Sequence, residues 1–191
     1  MFSLRNEEEA FFIMKVLKFG GSSVGTPESI LNVKNIVGAT ARPAVVVVSA
    51  LGGVTDQLIA ASRMAAAGDS AYSESVDSLM ERHHKMVNAV VEPRHRPQLL
   101  ENLDHLLTDL RSILHGVFLI QDLTPKTADA IVAYGERLSS LITAALLDNA
   151  CHVDSLDVVY TRVQNGKTLV DFDLTNRRIV EHFGKHLRSE E

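Results

Sequence analysis

Cysteine is nearly absent from this chain. Of 191 residues only Cys151 carries a thiol, so no internal disulfide can form, and a reducing cytosol is the expected compartment. The lone thiol is expected to be a small core residue rather than a reactive group. No apolar run reaches membrane-spanning length, which argues against a membrane protein. Basic excess is lacking too: the formal net charge is −5, and nonspecific nucleic-acid binding gets no support. The opening thirteen residues, "MFSLRNEEEAFFI", lack the basic start and apolar middle of a secretory signal. They read as a tag-like or upstream extension without a functional role. Residues 14–191 are long enough for one domain with a core, and neither an internal repeat nor an interdomain linker interrupts them.

Several catalytic signatures are missing as well. A Walker loop needs its lysine after the glycines, whereas in "VLKFGGSSVG" (residues 16–25) Lys18 precedes them. A dinucleotide fingerprint needs a glycine where Ser22 stands. His83-His84 lack the i, i+4 pairing of a helical zinc site and are read as a solvated face. No Ser/His/Asp set or cysteine nucleophile emerges, and no residue is assigned to a metal.

What is present is a strand–turn–helix unit, twice. "MKVLKF" (14–19) reads as a strand, followed by Gly20, Gly21 and Gly25. Thr26-Pro27-Glu28 then has the order of an N-cap, a first-turn proline and a first-turn acid, and Ile30, Val33 and Val37 give that helix an apolar face. "AVVVVS" (44–49) is a β-branched run of the kind found in a strand covered on both faces. "ALGG" leads into a helix from about Val54 to Ala67. In parallel α/β sheets, ligands sit at the carboxyl ends of strands, where both small-residue turns fall. A glycine backbone beside hydroxyls and a lysine has the features of an anion site. The same residues also suit a tight turn with the Lys18 stem lying along apolar surface. Likewise Ser49 and Thr55 could bind a small polar ligand, or Thr55 could cap the next helix.

The middle of the chain is helical. One helix spans about Ser70–Val91, with Val76, Leu79, Met80, Met86, Val87 and Val90 on one side. "EPRHRP" ends it. A second runs from Gln98 to about Gln121, with a heptad-like seam of Leu99, Leu103, Leu106, Leu110, Ile113 and Val117. Together they predict a helical hairpin packed on the sheet or on a neighbour, with Gly116 near a close helix crossing. Thr124-Pro125 opens a further helix, broken or kinked at Gly135, in which Glu136-Arg137 either faces water or reaches into a site. Short β-like pieces follow ("CHVDS", "VVYT", "KTLVDF"), with Asn165-Gly166 as a hairpin turn and Asp173 or Thr175 capping a last helix.

Three of these stretches together carry a resemblance. "VLKFGGSSV" resembles the opening signature of aspartokinases in the amino-acid kinase family. "VVVVSALGGVTDQL" is similar to the family's second turn and "YGERLSS" to its third. The long helical insert looks most like that of the bifunctional aspartokinase–homoserine dehydrogenases. The resemblance implies an α/β fold, a three-layer αβα sandwich of the amino-acid kinase type, truncated and carrying a helical hairpin insert. It implies transfer of the ATP γ-phosphoryl group, with Mg2+, to L-aspartate, giving 4-phospho-L-aspartate on the route to lysine, threonine and methionine. Lys18 would be the catalytic residue, stabilising the transferred group. Phe19, Gly20, Gly21 and Ser22 would join it around the phosphates, and Ser49, Thr55 and Glu136 would line the aspartate pocket. ATP and aspartate are the expected partners, in a cytoplasmic homo-oligomer. The family's nucleotide half is not found before Glu191, so the chain alone is expected to be inactive. Kinases of glutamate, acetylglutamate, carbamate or UMP, and a noncatalytic fragment dimerising through the leucine seam, are the alternatives.

Overall fold

The structure is a computed structural model and describes residues 14–40 and 43–188. The expected extension at residues 1–13 lies outside the described residues.

Strand β1 (Lys15–Phe19) pairs in parallel with β2 (Ala44–Val48), Leu17 opposite Val46 and Phe19 opposite Val48. A parallel pair needs a crossover. Here it is made by a single turn, α1 (Gly21–Val24), and by α2 (Pro27–Gly38). The start of α2 is fixed as expected: the Thr26 hydroxyl accepts from the Ser29 amide, and Ser29 Oγ accepts from the Thr26 amide. Ile30 and Val33 bury its inner face.

Side chains alternate along a strand, so the sheet has two distinct faces. Phe19 and Val48 pack on the core. On the other face Val16 is 66% exposed and Val47 46% exposed. The expectation that helices cover β2 on both sides is therefore corrected. The valine run reflects the strand preference of β-branched residues, and among the described residues the helical core covers one face.

Helices α3 (Val54–Ala66), α4 (Tyr72–Val90) and α5 (Arg96–Ile120) form the bulk of the core. A single 3-10 turn, Pro93–His95, joins α4 to α5. The cross-links Tyr72–His115, Asp77–Arg111 and His84–Asp104 rise along one helix as they fall along the other, which makes the pair an antiparallel hairpin. The stripe α5 buries is Leu99, Leu103, Leu107, Leu110, Leu114 and Val117. Leu106 and Ile113, expected in the seam, are only partly buried. A straight helix packed against both α3 and α4 follows the 3.6-residue period rather than the 3.5 of a coiled coil. The buried stripe is used inside the molecule, which removes the support for a free leucine seam at those positions.

The next helix is interrupted at Ala133, giving α6 (Pro125–Val132) and α7 (Tyr134–Leu146). Thr124 caps α6 through the Thr127 amide. Gly135 itself is not a kink but a contact point: a Cβ there would stand 2.7 Å from the Ala50 Cβ. Gly116, by contrast, faces open space, so no close crossing depends on it.

Beyond α7, "CHVDS" is not a strand; it leads into the short α8 (Ser155–Val158), capped by Asp154. Cys151 is exposed, against expectation, because it lies on the connection leaving α7 rather than in the core. The hairpin β3 (Thr161–Gln164) and β4 (Lys167–Val170) turns at Asn165-Gly166, both at positive φ (51° and 73°), as a primed turn requires. Helix α9 (Phe172–Arg188) follows. Its cap is Asp171, whose carboxylate accepts from the Leu174 amide, not Asp173 or Thr175. The Thr175 hydroxyl instead bonds the backbone of Tyr160.

Candidate functional site

The site is built from three turns at the carboxyl end of the sheet. The Ser49 amide donates to the Phe19 carbonyl at 3.0 Å, which carries the strand pairing one residue further and sets the two glycine turns side by side. They meet main chain to main chain. A Cβ on Gly21 would stand 3.0 Å from the Ala50 carbonyl oxygen and 3.5 Å from Gly52 Cα. One on Gly25 would stand 2.9 Å from the Gly21 carbonyl oxygen and 3.3 Å from Gly52 N. Side chains at these positions have no room, which is the physical reason for the glycines. Gly53, at φ 82°, is the left-handed residue that turns the chain into α3.

The third element is the first turn of α7. Its Glu136 accepts a hydrogen bond from the Ala50 amide at 3.3 Å, through Oε1. One turn on, Ser139 Oγ donates to the Ser49 carbonyl at 2.7 Å. The half-buried Glu136 is thus fixed by one oxygen beside the second glycine turn. Among the described residues its other oxygen has no hydrogen-bond partner.

Lys18 projects from the open face of β1, exposed, with Nζ 3.8 Å from the position a Gly20 Cβ would take. The cation therefore stands over the first glycine turn, and among the described residues no carboxylate pairs with it. Phe19 anchors the strand end in the core while Ser22 is exposed on α1. Ser49 and Thr55 are both half-buried. Thr55 does not cap α3: that position is Gly53, without a side-chain bond. The structure brings Gly21, Gly25, Ser49, Gly52 and Glu136 into one cluster, with Lys18 at its glycine edge.

Arg137 turns the other way. Its Nε lies 2.8 Å from Asp154 Oδ2 and its guanidinium 4.9 Å from the Tyr134 ring centre, tying α7 to the segment that follows. Two contributors escaped the sequence reading. Ser139 lies inside "YGERLSS", where the repeating hydroxyls were a signal. Arg82 on α4 donates to the Gly52 carbonyl, a contact made only by tertiary packing and without a signal in the local sequence. His83, expected on a solvated face, is fully buried, while His84 pairs with Asp104 at 2.6 Å. Carbonyl oxygens only accept, so His83 Nδ1 carries a proton, donating to Leu79 O at 2.7 Å. Nε2 is left without a partner among the described residues. Burial, with the nearby Arg82 and His84 charges adding to it, pushes the His83 pKa down to about 4, against the opposing pull of the Leu79 bond.

The described residues contain no group of three or more His, Cys, Asp or Glu side chains that could hold a metal ion, and no helix long and apolar enough to cross a membrane.

A model of the amino acid kinase family matches residues 14–185. An aspartokinase of Candida albicans is 29% identical over 155 residues, which are 75% of this chain and 28% of that protein. A chloroplastic bifunctional aspartokinase/homoserine dehydrogenase of Daucus carota is 29% identical over 160 residues, 82% of this chain and 17% of that protein. Aspartokinase 2 of Arabidopsis thaliana, also chloroplastic, is 30% identical over 176 residues, 87% of this chain and 29% of that protein. Among solved structures, aspartokinase III of E. coli in complex with aspartate and ADP superposes with a TM-score of 0.80 at 22% identity, over 93% of this chain and 39% of that one. The chain thus spans less than a third of the length of these curated relatives and shares the fold of the solved one. On the family model and the fold, the chain belongs to the amino acid kinase family.

Proposed function

We propose that this chain is the acceptor side of an aspartate kinase, joining the γ-phosphoryl group of ATP to the side-chain carboxylate of L-aspartate. The observation that carries the reading is Glu136, held by the Ala50 amide where two glycine turns meet, with Lys18 standing over the first of them. That the curated relatives above are aspartokinases supports aspartate as the acceptor.

In this reading an oxygen of the aspartate side chain attacks the γ-phosphorus. The bond to the bridging oxygen breaks and ADP leaves with that electron pair. The protein's task is placement and charge stabilisation. Lys18 faces the negative charge on the transferred group, and the backbone from Phe19 to Gly21, with Ser22, surrounds the phosphates. Glu136 meets the substrate ammonium with its second oxygen, while Ser49 and Thr55 offer hydroxyls to the rest of the amino acid. Magnesium would neutralise phosphate charge when bound with the nucleotide, and none of these steps passes through it. The product enters amino-acid biosynthesis, and the working unit is a homo-oligomer.

The test is an ADP-release assay on the complete reading frame, with aspartate, glutamate, acetylglutamate, carbamate and UMP as acceptors. ADP release with aspartate alone is expected. Release with one of the others and not with aspartate would sink the reading.

A further inference from the structure

Arg82 reaches the site from the helical insert. Its Nη2 donates to the Gly52 carbonyl, and its Nη1 stands 3.9 Å from where a Gly53 Cβ would be. Resting on the aspartate-kinase reading, we propose that Arg82 is a positioning residue: it holds the Gly52–Gly53 half of the second turn, and through it the packing of the phosphate turn, while adding positive potential to the site.

Three observations carry this. First, two adjacent glycines have more backbone freedom than any other pair, so this half of the turn needs a tether. Glu136 and Ser139 hold the other half, at Ala50 and Ser49. Gly52 is also the residue whose N and Cα lie against Gly21 and Gly25, so a rotation of its peptide reaches the first turn directly. Second, the tether is anchored in a rigid place. The next residue, His83, is fully buried, as are Leu79 and Val87 on the same helix. Third, among the described residues no carboxylate pairs with Arg82. Its bond to a carbonyl is charge-assisted, yet its positive charge stays uncompensated and favours an anionic ligand at the turn.

A plain structural tie between α3 and α4 exists for comparison: Gln57 Nε2 donates to the Ser75 carbonyl at 3.2 Å, and among the described residues this side chain makes no bond to the turn. The experiment compares Arg82→Ala, Arg82→Lys and Gln57→Ala in the complete protein, by amide hydrogen exchange and by steady-state kinetics. Arg82→Ala should speed exchange at residues 50–54 and leave α5 unchanged. It should lower kcat by about tenfold or more, because small misplacements at a reacting centre are costly. Arg82→Lys should recover part of kcat, and Gln57→Ala should change neither readout. Unchanged exchange at 50–54 in Arg82→Ala overturns the inference whatever the activity does. Faster exchange with unchanged kcat overturns it as well, as does an equal kcat loss in Gln57→Ala. If the unsubstituted protein releases no ADP with aspartate, the functional reading falls, and exchange alone then judges the tether.

Discussion

At the scale of single residues, the site separates charge from scaffold. Lys18 is exposed over the first turn, so its loss removes a charge and no packing. Lys18→Ala in the complete enzyme should lower kcat by about 10²–10³, the usual cost of one missing transition-state contact, with the aspartate KM within about threefold. Steady-state kinetics decide this, and a near-normal kcat would remove Lys18 from the chemistry. In the proposed function Glu136 has two jobs, the Ala50 bond and the substrate ammonium, that one substitution can divide. A glutamine keeps an oxygen for the Ala50 amide, so Glu136→Gln should melt within a few degrees of the parent. It should raise the aspartate KM by about tenfold and leave the ATP KM unchanged. A parallel rise in both constants would point to a general distortion. His83 makes a prediction about acid. Its folded pKa, about 4, lies below the 6.5 of an unfolded histidine, so between those values the unfolded state binds the extra proton. The stability associated with neutral His83 is complete above pH 6.5 and is lost as the pH falls toward 4. At most about 3 kcal/mol is involved. Urea titrations across that window should show a shallower slope for His83→Leu than for the parent. Parallel slopes would mean that His83 protonates without cost. Lys18 and the glycines were legible because they lie in short local patterns whose spacing is fixed by turns. Glu136 was reached only through the resemblance of "YGERLSS", since the local sequence leaves it open between water and a site. Arg82 and His83 lie in a helix of charged sequence, where only the packing of α3 and α5 decides which side chains are covered.

At the scale of elements, helix α7 carries Glu136, the carboxylate proposed to meet the substrate, and Gly135 sets its distance from the second turn. Adding a methyl there would place it 2.7 Å from the Ala50 Cβ and 3.3 Å from Val54 Cγ1. An alanine β-carbon cannot rotate away, so α7 must shift. Gly135→Ala should therefore cost about 1–3 kcal/mol, as overpacking does, and should weaken aspartate binding by displacing Glu136. Thermal melting and isothermal titration with aspartate test the two parts; a protein of parental stability and affinity would show that α7 has slack. The helices themselves were easy to read, because caps are local: Thr26 and Thr124 both bond the amide three residues on, where the Thr-Pro pairs placed them. The stripe of α5 was read one position off at Leu106 and Ile113, since a heptad and a 3.6-residue repeat diverge slowly. Asp171 was missed as a cap because Asp171, Asp173 and Thr175 offer three candidate oxygens within five residues, and only the β3–β4 hairpin fixes which is in place.

At the scale of the molecule, phosphoryl transfer requires both substrates in line, and the chain spans 28% of the Candida relative and 39% of the E. coli structure. The 191 residues alone should release no ADP in response to aspartate. With Val16 and Val47 open on the outer face of the sheet, they should also self-associate in light scattering. Aspartate-dependent ADP release from a clean monomer would overturn both expectations. The αβ order was legible because two strand–turn–helix units repeat in sequence; the open sheet face was not, since a valine run reads the same whether one or two layers cover it. The contact of the two turns through bare backbone also sets how this protein tolerates sequence drift. Gly21, Gly25, Gly52 and Gly135 touch their neighbours where any larger residue would intrude. In a saturation library selected for function, those four positions should form narrow columns of intolerance. The exposed faces of α4 and α5 should accept almost anything polar. The active centre would then be recorded in a lineage less by what its residues do than by what they leave out.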